Sequence, residues 1–87
     1  MGRVASFSVV GLDLWFNSHD HEPPHFHARK PGVWEIRIYF LTCTRNEVDF
    51  EMKWGSRPGA RDIRQLASAI VECRATLLEE WATKVCL

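Results

Sequence analysis

Apolar and polar residues alternate with a period of two in four stretches of the chain, as they do in strands with one buried face. The apolar positions are Val10, Leu12, Leu14 and Phe16; Phe26 and Ala28; Trp34, Ile36, Ile38 and Phe40; and Val48, Phe50, Met52 and Trp54. The fourth stretch shows the clearest alternation, because Glu47, Asp49, Glu51 and Lys53 occupy its other face. This pattern predicts four strands.

Short polar segments separate these strands, and a helix is expected to follow them. Lys30-Pro31-Gly32 predicts a tight turn, and Thr42 to Asn46 predict a polar turn. From about Ala60 to about Thr83 the apolar period changes to 3.6, which is typical of an amphipathic helix. Its apolar stripe contains Ile63, Leu66, Ala67, Ile70, Cys73, Leu77, Leu78 and Trp81.

Together these elements predict an α+β fold in a single domain, residues 1–87. We expect an antiparallel sheet of about four strands, because short turns connect them, with one long C-terminal helix packed on one face. Val48, Phe50, Met52 and Trp54 should then be buried against Ile63, Leu66, Ile70 and Leu77. The other face should be solvated and carry His25, His27, Arg29, Glu35, Arg37, Tyr39, Glu47, Asp49, Glu51 and Lys53.

Composition restricts the class of protein. The 11 basic and 11 acidic residues give a net charge of zero, which argues against a protein whose whole surface binds nucleic acid. No apolar run reaches the roughly 18 residues of a membrane-spanning helix, and no signal-peptide pattern opens the chain. The chain has three cysteines, Cys43, Cys73 and Cys86. Their odd number and wide spacing indicate free thiols in a reducing cytoplasm rather than a disulfide framework. We therefore expect a cytoplasmic protein without membrane association.

The four histidines of the chain all lie in the segment from His19 to His27. Prolines 23 and 24 restrict the backbone in the middle of this segment. His19, His21, His25 and His27 are candidate ligands for Zn²⁺ or another borderline metal, with Asp20 or Glu22 as the nearest carboxylate. No cysteine and no standard zinc spacing accompany them, so we expect no cofactor and keep Zn²⁺ as the alternative.

The same histidines permit a reaction without metal. His25 and His27 could share general acid and general base roles in RNA cleavage, while Arg29 or Arg37 stabilises the developing charge. Tyr39 could orient a substrate hydroxyl. In the competing interpretation, these residues are exposed polar groups on a solvated sheet. We favour that interpretation for the charged residues of the third and fourth strands.

Two further groups are candidate binding residues. Arg57, Arg61 and Arg64 surround the predicted start of the helix, where backbone N–H groups attract anions such as phosphate. The preferred alternative is that these arginines face solvent, with Asp62 compensating their charge. Trp15 is predicted to point outward, where it could mark a contact surface.

The run from Leu12 to Phe16 followed by His19-Asp20-His21-Glu22-Pro23-Pro24-His25-Phe26-His27-Ala28 resembles the bacterial DUF4160 family, a domain of unknown function. The C-terminal Leu77-Leu78-Glu79-Glu80-Trp81 is similar to the end of that family's pattern, although the chain departs from it after Gly32 and around Gly55 to Gly59. The resemblance implies no agreed activity. It implies a small protein partner, since these bacterial proteins are associated with a second small gene in toxin–antitoxin-like pairs.

We therefore expect a cytoplasmic, protein-binding component of a two-gene toxin–antitoxin-like module. One alternative is a histidine-dependent toxin that cleaves nucleic acid, and another is a metal-binding module that uses the segment from His19 to His27. Whether the protein is an enzyme, binds nucleic acid or forms a homo-oligomer is left open.

Overall fold

The computed structural model describes residues 2–85 and shows an antiparallel sheet followed by one long helix. The α+β prediction is confirmed. The strands are β1 (Gly2–Arg3), β2 (Asp13–Phe16), β3 (Phe26–Lys30), β4 (Trp34–Ile38) and β5 (Phe50–Gly55). A 3₁₀ turn (Phe40–Thr42) lies between β4 and β5, and helix α1 spans Ala60–Lys84. The strands are adjacent in the order β1-β2-β3-β4-β5, as in a meander.

The sheet has five strands rather than the predicted four, because β1 pairs with β2. With two residues, β1 is too short to show an alternating pattern. Hydrogen bonds to the last turns of α1 hold β1 and the residues that follow β1. Glu80 Oε1 accepts hydrogen bonds from the Ala5 backbone N–H at 2.9 Å and from Ser6 Oγ at 2.7 Å. Lys84 Nζ donates to the Arg3 carbonyl at 2.8 Å.

The core lies between α1 and the apolar face of the sheet, as the two periods predict. The buried sheet residues are Leu14, Phe16, Phe26, Ala28, Trp34, Ile36 and Ile38, and the buried helix residues are Leu66, Ala67, Ile70, Leu77 and Trp81. The rings of Phe16 and Trp81 meet edge to face, with centroids 6.5 Å apart. Ile63 and Cys73 are half-buried, and Leu78 is exposed. Five of the eight residues of the predicted stripe are therefore buried, two are half-buried and one is exposed.

The first predicted strand begins three residues too early. The structure starts β2 at Asp13 and places Val10 in solvent, with 99% of its surface exposed, whereas Val9 is buried. The cause is a turn at Val10 and Gly11, closed by a hydrogen bond of 3.1 Å from the Leu12 N–H to the Val9 carbonyl. Gly11 has a φ of 86°, which glycine adopts readily. The turn therefore exposes Val10, which the alternation predicted to be buried.

The fourth predicted strand corresponds to β5, but its burial is overestimated. Val48, Phe50 and Met52 are half-buried against the core, and Trp54 is 45% exposed. A register shift between β4 and β5 places Trp54 opposite Glu35 on the outer face, where the indole N–H donates to Glu35 Oε1 at 3.3 Å. The irregularity interrupts strict alternation, which a period of two cannot predict.

Within residues 2–85, no helix combines the length and the hydrophobicity required to cross a membrane. Cys43 and Cys73 are free thiols, and Cys86 lies outside the described residues.

Candidate functional site

His25 and His27 are buried, contrary to the prediction that they lie on a solvated face. Their exposed fractions are 4% and 2%. Trp15 stacks on the His27 ring, with centroids 5.4 Å apart, and the Trp81 ring lies 5.3 Å from that of His25. Asp20, from the connection between β2 and β3, covers both histidines. Alternation correctly separates these histidines from Phe26, but it carries no information about what covers the outer face.

The Asp20 carboxylate joins the two imidazoles. Its Oδ2 lies 3.0 Å from His27 Nε2, and its Oδ1 lies 3.4 Å from His25 Nε2. The local backbone fixes this position, because the Asn17 N–H donates to Asp20 Oδ2 at 3.1 Å and the Asp20 N–H donates to the Asn17 carbonyl at 3.1 Å. Asparagine is common at the first position of a turn closed by the second of these bonds. The loop thus carries a carboxylate to the histidines of the adjacent strand.

The tautomer of His25 follows from its partners. Its Nδ1 lies 2.8 Å from the Pro23 carbonyl oxygen, which can only accept, so Nδ1 carries the proton. In the neutral ring Nε2 is then an acceptor, and it faces the acceptor oxygen Asp20 Oδ1. His25 Nε2 is buried and has no hydrogen-bond partner among the described residues. In this neutral form, a buried lone pair would point at the carboxylate oxygen of Asp20.

His27 Nε2 lies between groups of opposite kind. The Trp15 indole N–H donates to Asn17 Oδ1 at 3.1 Å, which turns the Asn17 Nδ2 group toward His27 Nε2 at 3.2 Å. The same nitrogen is 3.0 Å from Asp20 Oδ2. If Nε2 carries a proton, it can donate to Asp20, but it then faces a second donor, the Asn17 amide. If Nε2 carries no proton, it can accept from the Asn17 amide, but it then faces a second acceptor, Asp20. Either way, one contact of this nitrogen is unfavourable.

Burial and the carboxylate shift the pKa values of this cluster. Burial is the main cause that lowers the pKa of His27, and the hydrogen bond and negative charge of Asp20 oppose it in part. Burial tends to raise the pKa of Asp20, but hydrogen bonds from Asn17 and His27 and the charges of His27 and His25 outweigh it, so that pKa is lowered. At neutral pH the Asp20 side chain is therefore an ionised carboxylate and the His27 imidazole is uncharged.

Such a cluster has the dimensions of a metal site. One ligand atom from each of Asp20, His25 and His27 lies within 4.8 Å of the others. Two ligand atoms bound to one tetrahedral zinc ion at about 2.0–2.1 Å lie roughly 3.3 Å apart, close to the 3.4 Å between Asp20 Oδ1 and His25 Nε2. The bond from His25 Nδ1 to Pro23 also resembles the outer contact that orients metal-bound imidazoles.

A cavity of about 320 Å³ opens beside the cluster. Its lining includes the sheet residues Arg37 and Tyr39 as well as His19, Asp20, His21, Glu22, Pro23 and His25. His19 and His21 are exposed and do not belong to the group of converging ligand atoms. Two of the four histidines proposed as ligands from the sequence thus converge, and Asp20 supplies the carboxylate.

Arg29 and Trp15 lie on the far side of His27 from this cavity. Arg29 Nη2 donates to Asp13 Oδ2 at 3.0 Å, and its guanidinium lies 5.3 Å from the centre of the Trp15 ring. Trp15 is half-buried between Arg29 and His27. Neither side chain lines the cavity that His25 and Arg37 share. The structure therefore gives Trp15 a packing role against His27.

The arginines at the start of α1 do not join the site. Arg57, Arg61 and Arg64 are all exposed, and the guanidinium of Arg57 lies 5.5 Å from the centre of the Phe50 ring. Asp62 pairs with Lys30 Nζ at 3.3 Å. The exposed arginines agree with the preferred interpretation that they face solvent, but the expectation that Asp62 compensates their charge is wrong, because Asp62 pairs with Lys30 on β3.

Two residues of the site were not identified from the sequence. Asn17 is not among the candidate residues of the sequence, and Trp81 is predicted only as part of the apolar stripe of the helix. The Asn17-x-x-Asp20 spacing, typical of a turn, was an available signal. The contact between Trp81 and His25 joins residues far apart in the chain, and no local pattern indicates it.

Comparison with known proteins identifies one family. A family profile described as "Domain of unknown function (DUF4160)" matches residues 11–82, which include the whole histidine segment. No curated protein sequence and no solved structure matches the chain. Because the profile covers most of the chain, this protein belongs to the DUF4160 family.

Proposed function

We propose that this protein binds one divalent transition-metal ion, with Zn²⁺ as the first candidate, through Asp20, His25 and His27. The observation that carries the proposal is His25 Nε2, which is buried, has no hydrogen-bond partner within residues 2–85 and faces Asp20 Oδ1 at 3.4 Å. An unpaired buried polar atom costs about 1–3 kcal/mol. A cation between the two acceptors would convert this unfavourable contact into two favourable ones.

The kind of ligand limits the kind of metal. Two imidazoles and one carboxylate suit zinc in sites that keep an open position, and they also suit non-haem Fe(II). Three protein ligands leave at least one position free on the ion. Two of the three proposed ligands, Asp20 and His25, line the cavity that Arg37 and Tyr39 also line, so a small molecule in this cavity could reach the ion.

The test is calorimetric titration of metal-free protein with Zn²⁺. We expect one equivalent to bind, with at least tenfold weaker affinity in Asp20→Asn, which keeps the shape of the side chain and removes its charge. The matched control is the double variant His19→Ala/His21→Ala, because both histidines belong to the same loop but are exposed. This control should bind zinc as the native protein does.

Two results would contradict the proposal. One is the absence of saturable binding to the native protein. The other is binding that persists in Asp20→Asn and disappears in His19→Ala/His21→Ala, which would assign the zinc to an exposed surface.

We also propose that the protein acts with a small partner protein in the bacterial cytoplasm, in a two-gene toxin–antitoxin-like module. The association comes from the resemblance described under the sequence, because the family description itself names no activity and no partner. Structural support comes from β5, which is a terminal strand of the sheet, and from the exposed ring of Trp54 on it. Unpaired strand edges commonly accept a strand from another protein. The free thiols Cys43 and Cys73 suit a reducing compartment.

The partner proposal is tested by co-expression with the protein encoded by the adjacent gene, followed by size-exclusion chromatography. We expect a stable complex that Trp54→Lys disrupts. Leu78→Lys is the matched control, because Leu78 is similarly exposed but lies on α1. Failure of the two native proteins to elute together would contradict the proposal.

A further inference from the structure

Arg37 lies next to the proposed metal ligands. In the pairing of β3 with β4, Arg37 stands directly opposite His27, so both side chains lie on the outer face of the sheet. Arg37 also lines the 320 Å³ cavity together with Asp20 and His25. A guanidinium and the free side of the proposed ion would therefore face the same space.

The donors of Arg37 are incompletely used within the described residues. Its Nε is buried and has no hydrogen-bond partner. Its Nη1 reaches Glu51 Oε1 at 3.5 Å, which is long for an ion pair, and the Glu51 side chain is 60% exposed. The Tyr39 hydroxyl also donates to Glu51 Oε1. An exposed pair of this kind is weak, so the terminal nitrogens of Arg37 could exchange Glu51 for a ligand in the cavity.

We propose that Arg37 forms an oxyanion subsite beside the metal and that its ligand is a small molecule with one phosphoryl group. The inference rests on the metal site proposed above. One phosphoryl oxygen would bind the ion, and others would accept hydrogen bonds from the Arg37 fork, which matches phosphate geometry. Tyr39 lines the same cavity.

Size and charge favour a small ligand over a nucleic acid chain. A cavity of about 320 Å³ accommodates a phosphoryl group with a short substituent. The exposed carboxylates of Glu22, in the lining, and of Glu51, beside Arg37, would repel a polyanion. The arginines that could follow a phosphate backbone lie at the start of α1, outside this lining.

The experiment uses protein loaded with Co²⁺, whose visible spectrum reports when an anion enters the coordination shell. We titrate inorganic phosphate, phenyl phosphate, acetate and a short RNA without terminal phosphates. Both phosphoryl compounds should change the spectrum, and phenyl phosphate distinguishes an ester ligand from the free ion. Arg37→Gln should weaken phosphate binding at least tenfold while Co²⁺ affinity stays within twofold of the native value. The control is Arg61→Gln, which tests whether phosphate binds at the start of α1 instead.

Each contrary result has a distinct meaning. If Co²⁺ binds but phosphate leaves the spectrum unchanged, the subsite is wrong and the proposed metal site stands. If Co²⁺ itself does not bind, both proposals fail. Equal binding of acetate, or of the RNA, overturns the assignment to a small phosphoryl compound. Loss of phosphate binding in Arg61→Gln rather than in Arg37→Gln would place the anion at the start of α1.

Discussion

His25 Nε2 and Asp20 Oδ1 lie 3.4 Å apart, and only 5% and 10% of the two side chains are exposed to solvent. When the imidazole carries its proton on Nδ1 alone, both atoms are acceptors, and they repel each other unless a proton or a metal cation lies between them. The bond from His25 to the Pro23 carbonyl prevents the imidazole from presenting its N–H to Asp20 instead. The contact between these two atoms therefore favours a cation bound at this position.

Asp20→Asn should change the free energy of unfolding differently with and without metal. Without metal, the new amide can donate to the His25 lone pair, so we expect stability within about 1 kcal/mol of the native value. With zinc at 100 times its Kd, the native protein should gain about 2.7 kcal/mol and the variant almost nothing. Urea denaturation with and without zinc measures both. A strong loss of stability in the metal-free variant would show that the carboxylate has a structural role independent of metal.

Stability should fall as the pH is lowered below the ordinary histidine value. The pKa of His27 is lowered from 6.5, mainly by burial, so below that pH the unfolded chain binds a proton that the folded protein does not. The free energy of unfolding therefore decreases from about pH 6.5 down to the lower pKa of folded His27. Below 3.8 the lowered pKa of Asp20 adds a second loss of the same sign.

His27→Gln should flatten the upper part of this pH profile, whereas His19→Gln, at an exposed position, should leave it unchanged. Urea denaturation between pH 4 and 8 measures the slope. An identical slope in native protein and His27→Gln would show that His27 is not the group responsible.

Removing the ring of Trp15 should change the titration of His27. Trp15 stacks on that imidazole and shields it. Burial is the main cause of the lowered pKa, so Trp15→Ala should raise the pKa of His27 toward its ordinary value. NMR titration of the histidine ring protons measures the shift. Trp54→Ala is the control, since the Trp54 ring is exposed and contacts Glu35 rather than a histidine. An unchanged His27 in Trp15→Ala would mean that other groups maintain its burial.

Two phenylalanines should differ in their contribution to stability. Phe16 has no exposed surface, so Phe16→Ala should cost about 3–5 kcal/mol, a large part of the roughly 5–15 kcal/mol available to a domain. Phe50 is half-buried on terminal strand β5, and Phe50→Ala should cost about half as much or less. Thermal and urea denaturation compare the two. Equal losses would indicate that β5 is packed more tightly than its exposure implies.

The apolar period correctly predicted the buried faces of β4 and α1. The alternation at Trp34, Ile36 and Ile38 and the stripe through Leu66 and Ile70 both correspond to buried faces. These patterns depend on residues that lie near one another in the chain. The short β1 and the register shift before Trp54 have no such pattern, because each depends on a neighbouring strand.

The candidate site was predictable in its position but not in its geometry. The spacing of His25 and His27 places both rings on one face, and the sequence indicated Asp20 or Glu22 as the carboxylate that could join them. Which of the two would do so depends on the turn that begins at Asn17. The burial of the histidines depends on Trp15 and on a helix that arrives from the opposite end of the chain.

The three candidate ligands come from a short stretch, Asp20 to His27. Bringing the ends of so short a loop together costs little chain entropy, because that cost grows with the logarithm of loop length. An ion could therefore bind as soon as β2 and β3 pair, before Trp81 arrives from α1. In that order of events, the metal would act on folding as well as on the finished site, and would favour early formation of the β2–β3 hairpin.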